Sequence, residues 1–461
     1  MVYFIGLVII YFLHVLLKLN LWITLALVVY ALVMIPKHCK WHQYSANNQK
    51  RFYEVSLYLD TILYAFVKEE KVELAVRDVS QTLPVGRMKE LVSQMLDYMT
   101  LTFDETEVLE EALALVDKEY PCKRIRDVHK FMTHVEYYGG EIEKPVNLLL
   151  ADKTRWEKRI KEAIAGRKKQ FTDVVLSVIA SLIICGAIIY LPVMNMDISD
   201  EWILQIFTMI VIVADDLVIL RAQKYLAADW ISMQLSEEEA YYVAKMESFR
   251  NYDMDKEKRL SYFLGFGGMG ITAIAFFMGN EWLVVLLLAI TLFLMNQHRI
   301  GRRLMEKTLT REIKYAFPNW LLDLVLLLQS ENVQVALQKS REYVPSVLQK
   351  ELEVLTERLE MQPESSEPYH QFLKEFSIPE IHSAMGILYS LSIGNSGNAD
   401  KQISELVEKN LELLDVTESE LLKSSASGMY VLFLVPVLTA SFKLVVDMVL
   451  LMIEFLQTPV V

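Results

Sequence analysis

Only three cysteines, Cys39, Cys122 and Cys185, occur in 461 residues, and no two form a CxxC pair. That spacing speaks against a disulfide framework and a thiolate metal centre, and it fits a reducing compartment for the bulk of the chain. No G-x-x-x-x-G-K-[ST] stretch is present, so no P-loop is available to hydrolyse a nucleotide. H-E-x-x-H and G-x-S-x-G are also missing, and Cys122 has no identifiable base. His129 and Glu136 stand seven apart with His134 between them, where a weak metal site is conceivable but a solvated helix face is the simpler reading. One nucleotide-like fingerprint exists, Gly265-Phe266-Gly267-Gly268-Met269-Gly270. It lies inside an apolar run with no preceding strand, so it reads as small residues that let helices approach. Basic charge is short as well: 46 Lys and Arg face 59 Asp and Glu, a net charge of −13, which argues against a nucleic-acid partner. No catalytic residue, cofactor or metal ligand is assigned.

Apolar sequence, by contrast, is plentiful. Hydrophobic residues make up 53% of the chain while 23% are charged, so long apolar runs alternate with water-facing segments. A chain of this length exceeds a single core. Val2–Leu17 and Leu21–Ile35 are apolar runs broken by Lys18 and Asn20, with no basic segment ahead of them and no clear cleavage site. They read as a transmembrane hairpin within 1–42, and Lys37 and Lys40 behind it mark the cytoplasmic side. Residues 43–170 carry helical periodicity in six segments, near 46–68, 70–82, 85–101, 104–119, 122–138 and 142–170. Two further spans occupy 171–222, and 223–259 is a charged cytoplasmic linker with no obvious core. A second hairpin at 260–298 precedes a second six-segment block at 299–428, and 429–461 holds a last span. The expected protein is all-α and polytopic, with two tandem cytoplasmic helical bundles, about seven transmembrane helices and a cytoplasmic N-terminus.

This order is a duplication. Pro84, Lys89, Glu90 and Leu91 match Pro345, Lys350, Glu351 and Leu352 at a separation of 261, as does Ala75 with Ala336. Lys118-Glu119-Tyr120 matches Lys374-Glu375-Phe376 at 256, and Gly140 matches Gly397 at 257. The second copy has no counterpart of the span at 202–220. Pro84 and Pro345 are expected at the start of the third helix of each bundle, where a missing N–H is tolerated, and Gly139-Gly140 is expected to end the fifth.

Ionisable groups inside spans are costly in hydrocarbon and mark function or pairing. Asp215 and Asp216 lie in the fourth span, close to Arg221, and either face another helix or the interface. Lys443 and Asp447 stand four apart in the last span and can pair on one face. Such groups are also the best argument for an ion-coupled transporter, although more than half the chain lies outside the spans.

Each copy, read as hairpin, six-helix bundle and span, resembles the F domain of type II secretion and type IV pilus systems. The signposts in the second copy are Tyr315–Leu321 (YAFPNWL), Asn332–Ala336, Pro345 with Lys350-Glu351-Leu352, and the turn at Gly397. The whole looks most like the two platform proteins of tight-adherence pili joined in one chain, with 223–259 unmatched and Phe-Pro-Asn-Trp missing from the first copy. The resemblance implies a multi-pass platform in the bacterial inner membrane that has no catalytic site or cofactor and contacts the lipid bilayer. Its implied partners are a cytoplasmic hexameric ATPase and pilin subunits, with a homo-oligomer possible.

Overall fold

The computed structural model describes residues 2–101, 105–190, 201–232, 239–277, 281–328, 331–342, 344–394 and 399–457. All regular structure among them is helical, with no strand. The helices are α1 (Val2–Leu16), α2 (Leu21–Glu69), α3 (Val72–Thr82), α4 (Arg87–Leu101), α5 (Glu105–Glu119), α6 (Lys123–Tyr138), α7 (Glu143–Tyr190) and α8 (Trp202–Leu226). They continue with α9 (Glu239–Arg250), α10 (Met254–Phe277), α11 (Glu281–Leu327), α12 (Val333–Lys339), α13 (Ser346–Met361), α14 (Glu367–Gln371), α15 (Pro379–Ser392) and α16 (Ala399–Gln457). Short 3₁₀ turns follow α12 at Ser340–Glu342 and α14 at Lys374–Phe376.

Six of these helices, α2, α7, α8, α10, α11 and α16, are long and apolar enough to cross a membrane. The expectation of about seven spans meets its limit at α1, whose 15 residues rise only about 22 Å against a hydrocarbon core of roughly 30 Å. Spans and bundle helices expected as separate pieces are continuous. The 49 residues of α2 form one rod about 74 Å long. The chain carries no Gly between Leu21 and Glu69, and the helix runs through its single proline, Pro36. A helix passing from apolar to polar surroundings keeps its backbone hydrogen bonds, so nothing compels a break there.

The element order repeats: α1 to α7 run as hairpin, four intervening helices and a long rod, and α10 to α16 run the same way. Burial follows the spacing read from sequence. Phe52 and Ile313, Val55 and Ala316, Leu59 and Trp320, Leu63 and Leu324, Ala75 and Ala336, and Leu91 and Leu352 are all buried, each pair 261 apart. Tyr120 and Phe376, 256 apart, are buried too. The signposts differ in detail. Pro345 is the N-cap of α13, whereas Pro84 lies three residues ahead of α4 and so is not in its first turn. Gly139 and Gly140 follow α6 with positive φ, +70° and +137°, which a side chain would resist. The matching bend after α15 is Gly394, at φ +77°; Gly397 lies outside the described residues.

The chain forms two compact units. The first comprises Met1–Gly139, Leu149–Met233 and Ser419–Val461. Its polar end is held by Phe52, Val55, Leu59, Ile62 and Phe66 of α2, a spacing of three and four that presents one apolar stripe. Phe52 meets Trp156 edge-on at 5.1 Å, and Phe66 meets Phe131 at 6.0 Å. Lys153 is almost wholly buried, and its ammonium lies 2.5 Å from both Asp60 and Glu157. Burial alone would raise the Glu157 carboxyl, but hydrogen bonds from Lys153, Lys161 and Ser56 outweigh it and hold the pKa near 2, below its ordinary 4.5. A depressed carboxyl stabilises the fold fully above the unfolded value and loses that contribution as pH falls from about 4.5 towards 2. Glu157→Gln should therefore flatten the acid limb of a stability-versus-pH curve in that window and leave its shape above pH 6 unchanged.

The second unit comprises Gly140–Leu148 and Gln234–Glu418. Leu309, Ile313, Phe317, Trp320 and Leu324 line one face of α11. Trp320 stacks on Phe372 at 5.9 Å and donates its indole N–H to Ser340 Oγ at 3.1 Å. Segment 223–259, read as a linker with no obvious core of its own, docks on neighbouring helices within each unit. Helix α9 buries Tyr242, Met246 and Phe249; Phe249 stacks on Phe376 at 5.5 Å, and Arg250 pairs with Glu351. The segment before it belongs to the first unit, where Trp230 is buried under Arg167 and Asn48 donates to the carbonyls of Ala227 and Ala228. Charge masked both attachments, because three apolar residues spaced four and three apart, Tyr242, Met246 and Phe249, suffice to dock α9.

The glycine run of α10 packs against α11. A Cβ at Gly268 would stand 2.7 Å from Thr291 Oγ1, and one at Gly265 would stand 2.3 Å from Met295 Cγ. Gly267 and Gly270 have nothing within 4 Å. Thr291 is β-branched and stiff, so Gly268→Val is expected to destabilise the hairpin by about 1–3 kcal/mol. Adding Thr291→Ala should recover most of it, read from thermal unfolding in detergent.

Candidate functional site

The buried face of α8 runs through Gln205, Thr208, Val211, Asp215, Val218 and Ala222, at steps of three and four. Placing polar groups on that stripe sends them toward other helices instead of lipid. At one end Gln205 closes the α1–α2 turn: Asn20 N–H donates to its Oε1, and its Nε2 donates to Lys18 O, both at 2.9 Å. His14, in α1, is hydrogen-bonded to Thr24 of α2 at 2.9 Å.

Asp215 is 2% exposed, and neither of its oxygens makes a hydrogen bond of good geometry. The Ser181 hydroxyl of α7 interacts with it, yet without the geometry of a well-formed hydrogen bond. One turn further along α7, Cys185 offers its carbonyl oxygen to Lys443 Nζ of α16 at 3.4 Å. Lys443 is fully buried and bonds Asp447 Oδ2 at 2.5 Å, the pairing at four residues that the sequence suggests. Asp447 Oδ1 has no partner. Helix α7 meets the Lys443–Asp447 pair of α16 at Cys185 and Asp215 of α8 at Ser181, one turn apart. Three helices thus bring two carboxylates and one ammonium into one buried region. If all three were ionised, one negative charge would remain uncompensated in a medium where that is costly. The arrangement can hold a proton or small cation, or it can act as a polar pin that sets how the helices pack.

Asp216 is a separate centre. One residue round the helix from Asp215, it faces α2, where Tyr30 O–H donates to its Oδ2 at 2.9 Å and His38 Nε2 lies 3.1 Å from its Oδ1. The other His38 nitrogen is 2.8 Å from Gln223 Oε1. Neighbouring aspartates therefore serve different helices, a division the doublet in the sequence does not reveal. Sequence reasoning also missed Tyr30, His38, Ser181 and Gln223, because lone polar residues beside apolar runs carry no periodic signal.

The other candidates separate in the same way. Glu90 is exposed and paired with Arg87 on its own helix, at 3.1 Å. Its repeat mate Glu351 instead captures Arg250 of α9. His129 is buried, not solvated: it lies 2.7 Å from Tyr58 Oη and 3.0 Å from Asp117. Glu136 accepts from Val72 N–H at the start of α3. Among the described residues no three His, Cys, Asp or Glu groups are arranged to hold a metal ion. Comparison of the chain with known protein families, with characterised proteins and with solved structures found no match in any of the three.

Proposed function

We propose that this chain is a membrane assembly platform of a tight-adherence-like pilus or type II-like secretion system. The observation that carries the reading is the repeated order of apolar hairpin, four short helices and a long rod ending in a span, with burial in step at separations of 261 and 256. In such a platform the two bundles lie in the cytoplasm and couple a hexameric ATPase to extraction of pilin-like subunits from the inner membrane. The acidic balance of the chain supports an ATPase surface that is basic, with association weakened by salt. In-cell crosslinking from exposed positions of α4 and α13 should recover a Walker-motif ATPase, and deletion of the gene should remove surface fibres or secretion. Recovery of no ATPase together with intact export would overturn the reading.

Asp215 supports a second reading, ion-coupled transport, because both its oxygens are buried without a well-formed hydrogen bond. On that reading Asp215→Asn abolishes a substrate or ion flux in proteoliposomes, whereas on the platform reading it leaves export in place so long as the protein folds.

A further inference from the structure

Within the first unit a cavity of about 390 Å³ opens between α7 and α16. Its lining runs from Arg159 to Gln170 and from Ser419 to Tyr430, where the apolar stretches at Phe171 and Met429 begin, and so it sits at the edge of the spans. Beyond it the two helices touch where Ser177 Oγ donates to Phe433 O at 2.7 Å, residues 256 apart and hence equivalent in the repeat. The cavity walls obey the same spacing: Arg167 matches Lys423, Ala163 matches Ser419 and Gly166 matches Leu422. Duplication has therefore placed a cation on each wall.

Arg159, Arg167, Lys423 and Glu162 are the charged side chains that line this cavity. Arg167 is held in place by its bond to Tyr225 O at 2.8 Å and by the ring of Trp230, 4.6 Å away. Gln170 adds a buried side-chain oxygen with no hydrogen-bond donor. Between the cations the walls are small or apolar, with Ala163, Gly166, Leu422 and Ala426. A Cβ built on Gly166 meets nothing within 4 Å, so glycine there leaves open space instead of permitting close packing.

We infer that this cavity is a binding site for an acidic glycerophospholipid. The cations take the phosphate, Gln170 takes a hydroxyl of a glycerol headgroup, and the small apolar wall takes the first methylenes of an acyl chain. Basic pockets between helices at a membrane edge suit such headgroups, and a free phosphate would leave the apolar wall unused. An exposed ion pair would not need an open space of this size.

The test uses the full-length chain, delipidated in detergent and titrated with phosphatidylglycerol, with bound lipid counted by native mass spectrometry. One tightly held phosphatidylglycerol per chain is expected, with phosphatidylcholine at least about tenfold weaker, a gap of about 1.4 kcal/mol. Gly166→Phe fills the space and should abolish retention. Lys423→Gln, on the exposed side of α16, should weaken it several-fold without changing the melting temperature, which keeps the test decisive if the bulkier variant folds poorly. Equal retention of both lipids, or retention unchanged in Lys423→Gln, would overturn the site. Displacement by millimolar glycerol 3-phosphate would overturn the lipid assignment in favour of a soluble phosphate ligand.

Discussion

Lys443→Leu is expected to cost roughly 3–5 kcal/mol of stability, the usual result of removing one member of a buried ion pair. Lys443 has no access to solvent, and its ammonium is shared between Asp447 and the Cys185 carbonyl. Without it, Asp447 is left as a buried carboxylate that has lost its ion-pair partner. Removing both partners is a different experiment. Lys443→Leu with Asp447→Leu replaces the pair by apolar side chains of similar volume and should recover most of the loss, or exceed the parent by about 1–4 kcal/mol. Thermal unfolding in detergent measures both. Function then separates the two roles of the cluster. Export retained in the double variant makes the pair a packing pin; a fold recovered with transport lost makes it an ion site. A single Lys443→Leu change that leaves the melting temperature unmoved would contradict the burial and pairing described above.

Trp320→Ala should have an effect of similar size on the second unit, about 3–5 kcal/mol. The indole is fully buried, stacks on Phe372, contacts Phe317 and donates to Ser340 Oγ. Alanine opens a large cavity and leaves the Ser340 hydroxyl without that donor, although it retains its bond to Leu337 O. Trp320→Phe keeps most of the apolar contact and should cost less, about 1–2 kcal/mol, through the lost hydrogen bond and a smaller void. Hydrogen exchange followed by mass spectrometry on peptides from α11 to α15 reads the change locally. Unchanged protection across those peptides in Trp320→Ala would mean that the Phe-Pro-Asn-Trp stretch is not the keystone of this unit.

These sites show how unevenly the molecule is legible. Helix identity and approximate boundaries could be read because apolar residues recur at three and four, as in Phe52, Val55, Leu59, Ile62 and Phe66. The sixth bundle helix was read as entering its span, as α7 does, but the fusion in α2 could not be anticipated, since a change in polarity marks where the environment changes and not where the backbone bends. Helix α9 was obscured by its charges, though Phe249 and Arg250 dock on Phe376 and Glu351. His129 was misjudged because its partners, Tyr58 and Asp117, lie on other helices.

The all-α character, the apolar runs, the repeated element order and the pairing of Lys443 with Asp447 could be read from the sequence alone. Each depends on spacing along one chain: the helical period, the length of an apolar run, a constant offset, or a four-residue step that puts two groups on one face. Only the tertiary structure decided that Asp215 and Asp216 face different helices, that the last span packs with α7 at equivalent repeat positions, and that a cation-lined cavity lies between them. Those facts depend on which faces of distant helices meet, and residues 256 apart in the chain become neighbours only through packing.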